Sequence, residues 1–152
     1  MRTRILVMAL AISLAAPLAA RAEVKTGETT LADGSKSVTL LDQAKGTIER
    51  LLYDPSGALH ERALFDLYTS GRVAFARVYT PQGRLKWTES FLYDKNGMLT
   101  QSHIHNADGF LFGSIVVKLD EHGKPAGTRL FDASGQEISS ADWDKLKQML
   151  DK

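Results

Sequence analysis

The side chains best equipped for chemistry gather in one short stretch: Arg77, Trp87, Glu89, Gln101, His103 and His105. His103 and His105 are alternate residues. On an extended chain alternate side chains leave the same face, so the pair can offer two imidazoles to one metal ion, with Glu89 as a third ligand. Two other readings use the same residues. Glu89 can pair with Arg77 or His103 as an ordinary cross-strand charge pair. Alternatively, Trp87 among flanking charges is the centre of a surface that recognises a protein or peptide. His60 and His122 stand apart from this group and are expected to face solvent.

Covalent catalysis finds little support. The chain has no cysteine, which removes thiol chemistry, disulfides and lipoprotein modification. No Gly-x-Ser-x-Gly elbow, phosphate loop or dinucleotide fingerprint occurs. The carboxylates of Asp54, Asp94, Asp120 and Asp132 sit where turns begin and have a backbone role there. The expectation is a non-enzymatic chain with no cofactor, and a binding role for the six residues above.

The elements that must position those residues are set by a glycine rhythm. Gly57, Gly71, Gly83, Gly97, Gly109, Gly123 and Gly135 are separated by 14, 12, 14, 12, 14 and 12 residues, a 26-residue double unit. Gly34 and Gly46 extend the series less regularly toward the N-terminus. Such self-similarity marks a repeat architecture. The residues before each glycine include Tyr53-Asp54-Pro55-Ser56, Tyr79-Thr80-Pro81-Gln82, Tyr93-Asp94-Lys95-Asn96 and Phe131-Asp132-Ala133-Ser134. Asp, Asn or Thr opens a type I turn, Pro suits its second position, and the glycine that follows accepts positive φ. Each unit is therefore a hairpin turn, and the series a meander.

Alternation between the turns predicts strands. The residue four before each glycine (Tyr53, Leu67, Tyr79, Tyr93, His105, Leu119, Phe131) and the residue two after (Leu59, Val73, Leu85, Leu99, Leu111) fall on one face, together with Phe65, Phe75, Trp87, Phe91, Ile115 and Val117. Arg62, Asp66, Arg72, Arg84, Lys86, Thr88, Thr100, Ser102 and Lys118 fall on the other, as in an antiparallel sheet wet on one side. If every turn pairs its two apolar residues directly and the ladder continues unshifted, Arg77 lies opposite Trp87 and Trp87 opposite His105. The neighbouring row is then Phe65, Phe75, Glu89, His103 and Gly113, and Gln101 follows Phe91. That register draws the six polar and aromatic side chains to the centre of the apolar face. A slip of one residue would send half of them to the other side.

The two ends differ from the middle. Arg2 and Arg4 precede a mostly apolar run from Ile5 to Leu18, and Ala20-Arg21-Ala22 fits a small-x-small cleavage site. Residues 1–22 thus read as a secretory signal, too short to span a bilayer, and imply a periplasmic or secreted mature chain with no transmembrane segment. Of 19 basic and 18 acidic residues, the leader takes Arg2, Arg4 and Arg21, leaving 16 basic and a net charge near −2. Mixed charge of this kind makes no electrostatic case for nucleic acid. Residues 23–46 hold the first weak repeats, and residues 23–30 have no strong pattern and are expected to be mobile. Residues 47–138 hold the regular repeats. In residues 139–152, Ser139 or Ser140 caps a short helix with Trp143, Leu146 and Leu150 on one side.

Tyr53-Asp54-Pro55-Ser56-Gly57-Ala58-Leu59 and Tyr93-Asp94-Lys95-Asn96-Gly97-Met98-Leu99 follow the form Tyr-Asp-x-x-Gly-x-Leu. This pattern, from about Asp42 to Ile138, resembles the bacterial MORN-variant repeats of YwqK-type proteins and the YD repeats of secreted toxin shells. The Gly-x-Gly core of ordinary MORN repeats is absent, and the units at His105 and Leu119 lack the aromatic residue. The resemblance implies an elongated β-meander used for binding or scaffolding, with no catalytic residues to transfer, and in YwqK-type proteins an antitoxin-like role. The sequence thus predicts an all-β antiparallel meander, a single curved sheet closed by a short C-terminal helix. The function expected of it is recognition of a protein partner through the apolar face around Trp87. The alternatives are a small-ligand or metal-binding periplasmic protein and an immunity-type inhibitor.

Overall fold

The computed structural model describes residues 24–150; the expected signal segment lies outside them. Ten strands follow in chain order: β1 (Val24–Thr30), β2 (Lys36–Asp42), β3 (Thr47–Tyr53), β4 (Leu59–Leu67), β5 (Val73–Tyr79), β6 (Leu85–Tyr93), β7 (Leu99–Asn106), β8 (Leu111–Leu119), β9 (Pro125–Asp132) and β10 (Glu137–Ile138). The helix α1 (Ser140–Leu150) closes the chain. Each strand pairs antiparallel with the next, giving one open meander sheet with β1 and β10 at its edges. No helix among the described residues is long and apolar enough to cross a membrane.

The turns form for the local reasons their residues supply. In the β3–β4 turn the Gly57 N–H donates to the Asp54 carbonyl at 2.9 Å and the Asp54 N–H donates to the Ala58 carbonyl at 2.9 Å. The Asp54 Oδ1 accepts from the N–H groups of Ser56 and Ala58 at 2.9 and 3.0 Å. Gly57 has φ 86°, a conformation costly to any residue with a Cβ. Asp94, Asn106, Asp120 and Asp132 repeat the same pair of side-chain acceptances.

What the turns do not fix is the register beyond them. Each pairs its expected residues: Tyr53 with Leu59, Leu67 with Val73, Tyr79 with Leu85, Tyr93 with Leu99, His105 with Leu111 and Leu119 with Pro125. One step further in, all six ladders shift by one residue at a β-bulge. The expected continuous register is therefore wrong. Trp87 lies opposite Val78 and Asn106, and Arg77 lies opposite Thr88. The row through Glu89 reads Phe65, Ala76, Glu89, Ile104, Gly113. A bulge takes up one residue without a partner, so strand alternation resumes with its faces exchanged. Tyr53, Tyr79, His105 and Phe131 consequently point to one face, and Leu67, Tyr93 and Leu119 to the other, instead of all sharing one. Phe75 also parts from Phe65, Trp87, Phe91, Ile115 and Val117, which do stay together, and Ser102 joins those five.

The helix packs on that second face. Ser139 caps it, its Oγ accepting from the Asp142 N–H at 3.1 Å and donating to the Asp142 carboxylate at 2.7 Å. One turn in, Trp143 is 1 % exposed and packs with Ile104 and Leu130. Gly113 makes room for it: a Cβ there would stand 2.6 Å from the indole and 2.6 Å from the Phe131 carbonyl oxygen. A strand-interior glycine here marks a close approach, not a turn.

Farther from the helix, the same face covers itself. Ala63, Ala76 and Val78 are each 1 % exposed. Arg50 lies over the Phe65 ring at 5.7 Å, its Nη2 3.7 Å from the Glu61 carboxylate, and Lys86 at its bulge reaches Glu61 at 3.4 Å. Long charged side chains with apolar stems thus roof small apolar ones.

β1 corrects the expectation for residues 23–30. Val24–Thr30 pairs with β2 over its whole length, although every residue in it is exposed. The strand is held by backbone hydrogen bonds and packs on nothing, so no apolar period was available to announce it.

Candidate functional site

The bulges divide the six predicted residues between two faces. Trp87 and Glu89 lie on the helix face, where Trp87 packs against the Ile104–Leu130–Trp143 cluster. Arg77, Gln101, His103 and His105 lie on the opposite, open face. The expected Glu89–His103 or Glu89–Arg77 pair therefore does not form, and the three candidate metal ligands do not converge. Among the described residues no three His, Cys, Asp or Glu side chains are grouped as a metal site.

Glu89 has acquired a structural environment. Burial pushes its carboxyl above the usual range, opposed by a hydrogen bond with Ser102 and by the charge of Lys147 on α1. A carboxyl raised in this way opposes folding while ionised, and the opposition fades as pH falls through its folded-state value. The turn carboxylates of Asp54 and Asp132 have the opposite sign. Asp54 is lowered first by the Ser56 hydroxyl and then by the Ala58 N–H, and Asp132 first by the Ser134 hydroxyl and then by the Gln136 N–H. Their contribution holds above the unfolded value of about 3.9 and is lost as pH falls through the folded one. Thermal stability is thus expected to rise from neutral pH into mild acid and then fall. In Glu89→Gln the rise should vanish and the acid loss remain. An unchanged pH slope in that variant would count against a buried, ionisable Glu89.

The open face places its polar residues in two adjoining rows. One runs Leu64, Arg77, Thr88, His105 across β4 to β7. The other runs Asp66, Phe75, Ser90, His103, Ser114, Phe131 across β4 to β9. Arg77 holds the Asp66 carboxylate through Nη2 at 2.7 and 2.6 Å and lies 5.9 Å from the Phe75 ring centre. Its Nε is buried with no hydrogen-bond partner among the described residues. His103 Nδ1 is 2.9 Å from the Ser114 hydroxyl. The result is a polar strip flanked by Phe75 and Tyr79 on one side and Phe131 on the other. Thr88, Ser90 and Ser114 were missed by sequence reasoning because an unshifted register assigns them no place beside the histidines. Only the one-residue slip brings them in. The strip offers hydrogen-bond donors, acceptors and aromatic edges, and within it the Ser114 hydroxyl is paired with the His103 imidazole.

No protein-family model matches this chain, and no curated protein matches it. Among solved structures, a crystal structure of TarM aligns with 75 % of this chain and 21 % of that one, at 11 % identity and a TM-score of 0.31. A mutant of S. aureus TarM in complex with Fondaparinux, alpha-GlcNAc-glycerol and UDP aligns over the same shares, at 14 % identity and a TM-score of 0.33. The chain spans about a fifth of the length of these proteins, 21 %, and a likeness this distant carries no argument about function.

Proposed function

We propose that this protein is an exported, non-catalytic binding or scaffold module that recognises another protein through the broad face of its β-repeat sheet. The supporting observation is the asymmetry of cover. The helix packs on one face only, and the polar strip of Arg77, Thr88, His103 and His105 lies on the face without it, its aromatic flanks Phe75, Tyr79 and Phe131 meeting Arg77, Arg62 and Arg129. A mixed polar and aromatic surface on rigid strands suits protein recognition, where aromatic residues and arginine carry much of the binding energy. The signal-like leader supports export. The resemblance of the hairpin units to YwqK-type MORN-variant repeats supports a scaffold role.

Affinity capture from an envelope extract tests this, with the mature chain as bait beside a Thr88→Arg, His105→Ala variant and a Trp87→Ala variant. A partner retained by the wild type should be lost by the open-face variant and kept by folded Trp87→Ala. If the open-face variant retains every specific partner, recognition does not run through this strip.

A further inference from the structure

A second feature lies away from the strip, at the end of the sheet that carries the β4–β5 and β6–β7 turns. The ladder between β5 and β6 ends at the pair Phe75 and Ser90. Beyond it residues 73–74 and 91–93 have no ladder partner in each other, and a cleft of about 330 Å³ opens between the two turns. That volume falls at the small end of the range of small-molecule sites. Its walls include Tyr68, Arg72, Leu92, Tyr93 and Lys95.

Arg72 is the unusual member. Arg50, Arg62, Arg77 and Arg129 each face a carboxylate across the sheet. Arg72 makes no ion pair among the described residues; it is exposed and packs against two neighbours. Its guanidinium carbon lies 6.0 Å from the Tyr93 ring centre, within cation–π range. Its terminal nitrogens occupy the space a Cβ would need at Gly97. Tyr93 is held in turn, donating its hydroxyl hydrogen to the Val73 carbonyl at 2.8 Å, with Tyr68 edge-on at 6.2 Å between ring centres. The one acid in the lining, Asp94, turns its Oδ1 to the N–H groups of Asn96 and Met98. Beside the guanidinium, Tyr68 is 49 % exposed, a large apolar surface left uncovered.

From this arrangement we infer that the cleft is a binding site for a small carboxylate-bearing molecule with a flat, apolar body. The carboxylate takes an N–H edge of Arg72, where a planar fork matches two oxygens, and Lys95 adds a second positive charge. The body of the ligand lies against Tyr68 and Tyr93. This site is independent of the open-face strip, and either can fail without the other.

The test is an NMR titration of the mature chain with benzoate, with benzamide as the uncharged isostere and acetate as the carboxylate without a body. Benzoate should shift the backbone amides of Lys95, Asn96 and Gly97 and the Arg72 Nε–H saturably, and bind about tenfold or more tightly than either control. Arg72→Gln should abolish those shifts while leaving the rest of the spectrum in place. Absence of saturable shifts with benzoate, equal response to benzamide, or benzoate binding retained in Arg72→Gln would each overturn the assignment. Acetate binding as tightly as benzoate would overturn the apolar half of the site.

Discussion

Trp143→Ala should cost the fold about 3–5 kcal/mol, the range for truncating a large buried aromatic side chain. Trp143 is the one large side chain of α1 that is fully buried, and it fills the space between Ile104 and Leu130 above Gly113. In a sheet paired strictly in chain order the loss should stay regional, because each strand leans only on its neighbours. Hydrogen exchange should therefore show β7 to β10 losing protection while β2 to β5 keep theirs, and thermal unfolding should begin earlier and broaden. Unchanged exchange in β8 and β9 would mean that the helix is an appendage and not part of the core.

The second large effect is expected at Gly113. An alanine Cβ there meets the Phe131 carbonyl oxygen and the Trp143 indole, both at 2.6 Å, and one of these must move. Overpacking of this kind costs about 1–3 kcal/mol. The two contacts can be separated by a double-mutant cycle in urea. With Trp143→Leu the indole contact disappears, so Gly113→Ala should cost less in that background than in the wild type. The remainder reports the clash with the Phe131 backbone, which no side-chain change relieves. Strict additivity would show that the helix does not sit against Gly113, and would undermine the explanation of why a glycine stands in a strand interior.

Several of these features were open to sequence reasoning because their causes are local. A turn closed by Asp54 or Asp132 and a positive-φ glycine depends on five consecutive residues. The recurrence of that unit is enough to predict strands, antiparallel order and an all-β meander. The C-terminal helix was legible for the same reason, through Ser139 at its cap and the spacing of Trp143, Leu146 and Leu150. Those inferences name the residues that build the sheet.

The division of faces belonged to the tertiary structure. The residues beside each turn pair as their positions predict, but a bulge one step further in moves the ladder by one. Because side chains alternate with a period of two, that single residue decides the face of everything after it. This separated Glu89 and Trp87 from His103 and His105, and seated Arg77 and His105 on either side of Thr88. The raised carboxyl of Glu89 likewise depends on burial and on Lys147, which is remote in sequence and adjacent only after folding. The Arg72 cleft exists because the β5–β6 ladder stops at Phe75 and Ser90, where pairing between strands ends and no local signal marks the place. β1 left no apolar pattern because it packs on nothing. Local turn chemistry determined the architecture; long-range register and docking decided which side chains meet.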